Sequence, residues 1–117
     1  IVTFEDIHPK FSFVKLNSEG LVIEAAEKRP ISKHATEGFY YFKKGSDFIE
    51  SAISMLAKNA SVNGLFYLCP VYNEMILKQK KIGVYPIERQ DYFLLKTEGG
   101  IEAYKQYLKD KRGKKND

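Results

Sequence analysis

Tryptophan is absent from this chain, cysteine occurs once, methionine twice, and only four prolines interrupt its 117 residues. A lone cysteine, Cys69, excludes an intramolecular disulfide, and nothing stands near it at zinc-ligand spacing. Its ordinary reading is a small buried hydrophobe in a reducing compartment, which points to the cytoplasm. No apolar run approaches the roughly 20 residues that span a bilayer. No charged segment followed by an apolar one opens the chain as a secretion signal would. Phosphate loop, Rossmann glycine fingerprint, nucleophile elbow and zinc pair are all missing. The two histidines, His8 and His34, stand far apart in polar segments. Either could serve in catalysis, but a lone loop histidine is more often surface decoration. Glu5, Asp6 and His8 cluster with the spacing of a solvated turn rather than a metal site.

What is present is the balance of an ordinary globular domain, with 44% apolar and 29% charged residues. The 14% aromatic content is all phenylalanine and tyrosine, so the expected core is rich in rings and polar at its edges. The length allows one domain with a modest core. Of the net charge of +4, most falls in the last nine residues, where five cations meet two anions. The body carries no nucleic-acid footprint. We therefore expect a domain over residues 1–108 and a basic, disordered tail over 109–117, with neither nucleic acid nor membrane as partner. Ile1-Val2-Thr3-Phe4 reads as part of a strand, which leads us to expect that a preceding part of the fold belongs with this chain.

Local patterns divide the body into strands with interspersed helices. Phe11 to Leu16 alternates, Asn17-Ser18-Glu19-Gly20 supplies turn residues, and Leu21 to Glu24 resumes an extended run, which reads as a β-hairpin. Arg29-Pro30 ends the second strand. Gly38-Phe39-Tyr40-Tyr41-Phe42 is apolar enough to be a central, buried strand. Ser46 reads as the N-cap of a helix to Lys58 packed on the sheet, burying Phe48, Ile49, Ala52, Ile53, Leu56 and Ala57. A second helix begins near Pro70. Lys81 to Ile87 reads as a strand, and Glu98 to Lys109 as a third helix burying Ile101, Tyr104 and Leu108. A mixed α/β layer fold follows.

One segment carries chemistry. Glu27-Lys28-Arg29-Pro30 sits at a strand end just after a hairpin, where open α/β sheets present charges to a crevice. A carboxylate there can accept hydrogen bonds from sugar hydroxyls, and an ammonium can neutralise a phosphate. By spacing alone, a solvated surface pair worth a few tenths of a kcal/mol is the stronger reading.

The wider motif string shifts that balance. Glu27-Lys28-Arg29-Pro30 is followed by Ala35-Thr36-Glu37-Gly38-Phe39-Tyr40-Tyr41-Phe42. Then comes Asn63-Gly64-Leu65-Phe66-Tyr67-Leu68-Cys69-Pro70-Val71-Tyr72-Asn73-Glu74-Met75-Ile76. In this order the pieces resemble the bacterial sugar-1-phosphate nucleotidyltransferases, in the branch associated with capsular and surface polysaccharide synthesis. The resemblance covers nearly residues 1 to 87 and is to the carboxyl-terminal, sugar-phosphate-binding half. It implies a mixed-sheet sandwich, part of a glycosyltransferase-A-like, Rossmann-type fold.

The resemblance also implies a reaction, in which a sugar 1-phosphate attacks the α-phosphorus of a nucleoside triphosphate and pyrophosphate leaves. Magnesium would assist it in the full-length enzyme. Glu27 and Lys28 take the family's sugar and phosphate contacts. Thr36, Gly38, Asn63 and Gly64 take the lining of the sugar pocket. The family's amino-terminal half, with its nucleotide loop and first metal carboxylate, has no counterpart here. No acid stands where relatives carry the second metal carboxylate, and Asp91 is only a weak candidate. The implied partners are a sugar 1-phosphate, a nucleoside triphosphate, the missing amino-terminal half and, for the isolated chain, a second copy of itself. A non-catalytic module binding a sugar phosphate or nucleotide sugar is the alternative, and an unrelated protein-binding domain is a third reading.

Overall fold

The hairpin at the start of the chain sets the frame. The computed structural model describes residues 1–115 and, for residues 114 and 115, the backbone alone. Strands β1 (Val2–Glu5), β2 (Ser12–Leu16), β3 (Val22–Glu27), β4 (His34–Thr36) and β5 (Tyr85–Pro86) form one sheet in the order β3-β2-β4-β1-β5. The β1–β5 pair is parallel and the rest are antiparallel. In the hairpin turn, Asn17 Oδ1 accepts the backbone N–H groups of Glu19 and Leu21, both at 2.9 Å. That is the local side-chain bonding for which asparagine is favoured in turns.

Both faces of the central strands are covered. Phe13 and Val14 are adjacent, point to opposite faces and are each fully buried. On one face the register aligns Phe4, Ala35, Phe13 and Ala26 across four strands, and Phe11 meets Phe4 edge-on at 5.1 Å. The other face builds the main core, with Val14, Val22 and Ala25 against Cys69, Tyr72, Met75 and Ile82.

Two helices complete this part. Helix α2 (Val71–Leu77) packs on β3, and α1 (Gly45–Ala57) packs principally on α2, not on the sheet as the sequence pattern leads one to expect. Pro70 occupies the N-cap position of α2, where its missing N–H costs nothing. The N-cap of α1 is Lys44, without a side-chain cap, so Ser46 lies inside the first turn instead of capping it. Of the expected apolar stripe on α1, Phe48 and Ala52 are half-buried. Ser51 and Met55 are the buried positions. Ile49, Ile53 and Leu56 stay more than half exposed.

The expected central strand at Gly38–Phe42 is not one. The ladder position belongs to His34–Thr36, and the aromatic run beyond it is extended but mostly unpaired. Only alternate rings turn inward. Phe42 stacks on Tyr72 at 4.8 Å and Tyr40 lies 5.9 Å from it, whereas Phe39 and Tyr41 are 60% and 68% exposed. The run looked buried because every residue is aromatic, although half of them face out. Lys81–Ile87 is likewise an extended segment of which only Tyr85–Pro86 is ladder-paired.

The chain divides into two compact units, Ile1–Ile87 and the segment from Glu88 on. The second unit holds a 3-10 turn (Arg89–Asp91) and α3 (Glu98–Lys115). The boundary expected at 108/109 thus falls within a helix. Residues 109–115 continue it in place of the expected disordered tail, favoured by the lysines and arginine of that stretch. The last two residues of that tail, 116 and 117, lie outside the described residues. Phe93 contacts the rings of Tyr104 and Tyr107 at 5.2 and 5.1 Å. Ile101 and Tyr104 are nonetheless exposed rather than buried, because one aromatic side chain cannot cover a whole helix face.

Candidate functional site: the cleft at the end of strand β3

Strand β3 ends at Glu27, and the ladder fixes how that carboxylate is held. Lys28 N–H donates to the Phe11 carbonyl at 2.9 Å. Lys28 and Phe11 therefore face each other as a hydrogen-bonded pair, and Glu27–Ser12 and Ala25–Val14 are the intervening pairs. Side chains approach closely at such positions, and the Ser12 hydroxyl donates to Glu27 Oε2. Tyr40 lies behind them, its hydroxyl beside Ser12 and Cys69 and 2.7 Å from the Thr36 hydroxyl. Glu27, Ser12, Tyr40 and Thr36 thus form a polar row on the core face of three neighbouring strands. Burial pushes the Tyr40 phenol well above its ordinary range and the Cys69 thiol up to about 12, so both stay protonated and serve as hydrogen-bonding groups.

Lys28 follows in the left-handed region at φ 56°, an uncommon conformation for a residue with a Cβ. Its side chain is exposed and its ammonium donates to the Tyr67 hydroxyl at 3.1 Å, lying 5.1 Å from that ring's centre. The hydrogen bond it donates to Tyr67 and the pull of that phenol hold the ammonium above the ordinary lysine range. Slight desolvation opposes them and Glu27 helps. The cation therefore keeps its charge at neutral pH.

Glu27 and Lys28 line a cleft of about 510 Å³ with Ala25, Ala26, Arg29, the segment Ala60–Asn63, Pro70 and Asn73. Two local devices shape it. Val62 and Leu65 exchange backbone hydrogen bonds at 2.8 and 3.0 Å around Asn63 (φ 52°) and Gly64 (φ 78°). Positive φ at both central residues is the tight hairpin turn for which Asn-Gly is preferred, so this pair is accounted for by backbone geometry. Asn73, from α2, accepts the Ala25 N–H with Oδ1 and donates to the Ala25 carbonyl with its amide, both at 2.8 Å. These are the outward backbone groups of an edge strand, and Asn73 satisfies both.

Of the six candidate binding residues, Glu27, Lys28 and Asn63 line the cleft, with Gly64 next in the turn. Thr36 and Gly38 are not among its described walls. Thr36 is buried in β4 and reaches Glu27 only through Tyr40 and Ser12. Gly38 lies just past that strand, exposed, at φ 105°. Asp91 belongs to the second unit, in a cleft of about 440 Å³ with Gln90, Tyr107, Asp110 and Lys111. Among the described residues no three histidine, cysteine or carboxylate side chains converge to hold a metal ion, so Asp91 has no ligand set around it. The Glu5, Asp6, His8 cluster is a turn. Asp6 Oδ1 accepts the Ile7 and His8 N–H groups at 2.7 and 2.8 Å, and Glu5 pairs with Lys33 at 3.1 Å.

Sequence reasoning missed Ser12, Tyr67 and Asn73. Each acts on a partner 15 to 48 residues away, so no local pattern marks it. No helix among the described residues is long and apolar enough to cross a membrane.

No protein-family model and no curated protein matches the chain. A solved structure does. The chain is similar to a nucleoside-diphosphate-sugar pyrophosphorylase from Vibrio cholerae, with a TM-score of 0.79 and 27% identity over 93% of this chain. It shares a sugar-nucleotidyltransferase-like fold. It spans 45% of that protein's length, so what is shared is a part of the larger fold.

Proposed function

We propose that this chain is the carboxyl-terminal, sugar-phosphate-binding half of a sugar nucleotidyltransferase that makes nucleoside-diphosphate sugars for surface polysaccharides in the cytoplasm. The sandwich of which it forms half is glycosyltransferase-A-like. The observation that carries the reading is the convergence of an anchored carboxylate and a fully charged ammonium, Glu27 and Lys28, on one cleft. The fold likeness supports the class of reaction.

In this reading Lys28 neutralises the phosphate of a sugar 1-phosphate and Glu27 accepts hydrogen bonds from its hydroxyls. Ser12 holds one carboxylate oxygen and leaves the other to the sugar. The nucleoside triphosphate belongs to the amino-terminal half. Magnesium would supply charge neutralisation at the transferring phosphoryl group, and in this reading its ligands belong to the amino-terminal half. The exposed Ile49, Ile53 and Leu56 stripe supports contact with that half or, for the isolated chain, with a second copy.

Calorimetric titration of the chain with glucose 1-phosphate and N-acetylglucosamine 1-phosphate tests the site. Lys28→Ala should weaken binding about tenfold, since a charge-assisted contact is lost. Glu27→Gln should alter the preference between the two sugars more than the affinity for inorganic phosphate. Near-wild-type binding by both variants refutes the assignment. The isolated chain should show no nucleotidyl transfer with any triphosphate. If the full-length protein binds sugar phosphate but shows none either, the chain is a binding module derived from the family.

A further inference from the structure

A second cleft in the Ile1–Ile87 unit shares no residue with the first. It measures about 420 Å³, and its walls carry four lysines, Lys43, Lys44, Lys80 and Lys81, with Asp47 as the one carboxylate. Its floor is core: Tyr72, Met75 and Ile82 are each at most 7% exposed. The lysines come from two places in the sequence. Lys43-Lys44 immediately precede α1 and Lys80-Lys81 closely follow α2. Packing of α1 on α2 brings the two pairs to one hollow.

Stability does not explain this arrangement. Lys44 is the N-cap of α1, where a cation opposes the helix dipole and supplies no capping acceptor. Asp47, which suits that end, is engaged with Lys80 at 3.6 Å. Lys43, Lys44 and Lys81 have no ion pair among the described residues, whereas Lys33, Lys58, Lys78 and Lys80 do. The Ile1–Ile87 unit holds eleven lysines and arginines against nine carboxylates, so this one hollow carries a surplus larger than that of the whole unit. Like charges gathered in a concavity over an apolar floor focus a positive potential into it.

We infer that this hollow binds an anion carrying two or more linked phosphates. A single phosphate, at about −1.5 to −2, would leave part of the surplus unmatched, whereas a diphosphate matches it. The exposed Tyr41 ring on the same wall lets the ligand be either a free polyphosphate or the diphosphate of a nucleotide. The inference does not depend on the sugar-phosphate reading, which uses other residues.

Titration of the whole chain with inorganic pyrophosphate, ADP and sulfate tests it. Pyrophosphate should bind at low salt, weaken as salt rises and displace amide resonances of Lys43–Asp47 and Lys80–Gly83. The Lys43→Gln, Lys44→Gln double variant should lose about tenfold in affinity, as for two partly exposed charge contacts. Its melting temperature should stay level or rise, because two cations leave a helix N-terminus. Lys28→Ala should leave the pyrophosphate-induced shifts at Lys43–Asp47 and Lys80–Gly83 unchanged. ADP binding tighter than pyrophosphate, with the excess lost in Tyr41→Ala, identifies a nucleotide; equal binding identifies free polyphosphate. Sulfate binding as tightly as pyrophosphate, undiminished affinity in the double variant, or resonance shifts confined to the Lys28 cleft would each overturn the inference, and the first and last are read on the unmodified chain.

Discussion

Replacing Asn73 probes the joint on which the β3 cleft depends. Its amide makes two hydrogen bonds of 2.8 Å to the backbone of Ala25, a residue 4% exposed on the edge strand. Asn73→Ala leaves a buried N–H and a buried carbonyl without partners. Each lost bond is worth about 1 kcal/mol net and each stranded group costs more, so the change should destabilise by about 2–4 kcal/mol. For a domain of this size 1 kcal/mol moves Tm by about 4–8 °C, so the melt should fall by roughly 10 °C or more. Asn73→Asp separates bonding from packing. It is nearly isosteric and keeps the acceptor for Ala25 N–H, but it sets a carboxylate oxygen against the Ala25 carbonyl. It should destabilise at least as much as alanine does. Thermal unfolding followed by circular dichroism reads both. A fall under about 2 °C for either variant would show that β3 is held by the sheet alone and that Asn73 is a bystander.

Other consequences follow from the same geometry. Ser12→Ala should release Glu27 and weaken sugar 1-phosphate binding severalfold without weakening pyrophosphate binding, as measured by calorimetry. Tyr67→Phe keeps the ring and removes the hydroxyl; since that hydrogen bond raises the Lys28 pKa, an NMR titration should find it moved down toward the ordinary lysine value. Cys69, with its thiol pushed up to about 12 by burial, should react with a disulfide reagent at pH 8 only after unfolding. Because the folded thiol and the Tyr40 and Tyr72 phenols hold their protons longer than in the unfolded chain, their contribution to stability is intact below about pH 9 and is lost as pH rises through the folded values. Urea midpoints should therefore fall steadily from pH 9 upward, and a flat profile to pH 11 would contradict the burial of these groups. Gly100→Ala places a Cβ against the Leu94 carbonyl and should lower the helicity of α3 in far-ultraviolet spectra.

The features that were legible beforehand are those that neighbouring residues decide. The β2–β3 hairpin announces itself through Asn17 to Gly20, α2 through Pro70, and the Asn63-Gly64 turn through its two residues. What was misjudged depends on which surfaces meet. An apolar stripe on α1 or α3 says that a face can be covered, but not that Ile49, Ile53 or Tyr104 finds a cover. The aromatic run at Phe39–Phe42 has the composition of a central strand, yet the ladder places fall to the plainer His34-Ala35-Thr36. At the cleft, Glu27 and Lys28 could be named from a motif. Ser12, Tyr67 and Asn73 could not, because a serine, a tyrosine and an asparagine gain meaning only from partners brought to them by the fold.

The left-handed residues around the cleft do not all carry the same weight. Asn63 has a positive φ because a two-residue hairpin loop demands one, and asparagine meets that demand at little cost, so its conformation would be the same in a protein without any ligand. Lys28 has no such excuse. It follows a regular strand, keeps its ladder bond to Phe11, and is neither glycine nor asparagine, yet stands at φ 56°. A residue held in a sparsely populated conformation persists where its surroundings fix it, and such positions gather at ligand sites. Had the backbone stayed extended, the side chain after Glu27 would have pointed to the opposite face of the sheet, since successive strand residues alternate. The left-handed step breaks that alternation, and carboxylate and ammonium line one cleft from consecutive positions. In the proposed function this break would aim a hydroxyl acceptor and a phosphate cation from adjacent residues into one cleft, so the backbone of Lys28 supports that proposal independently of the motif that contains it.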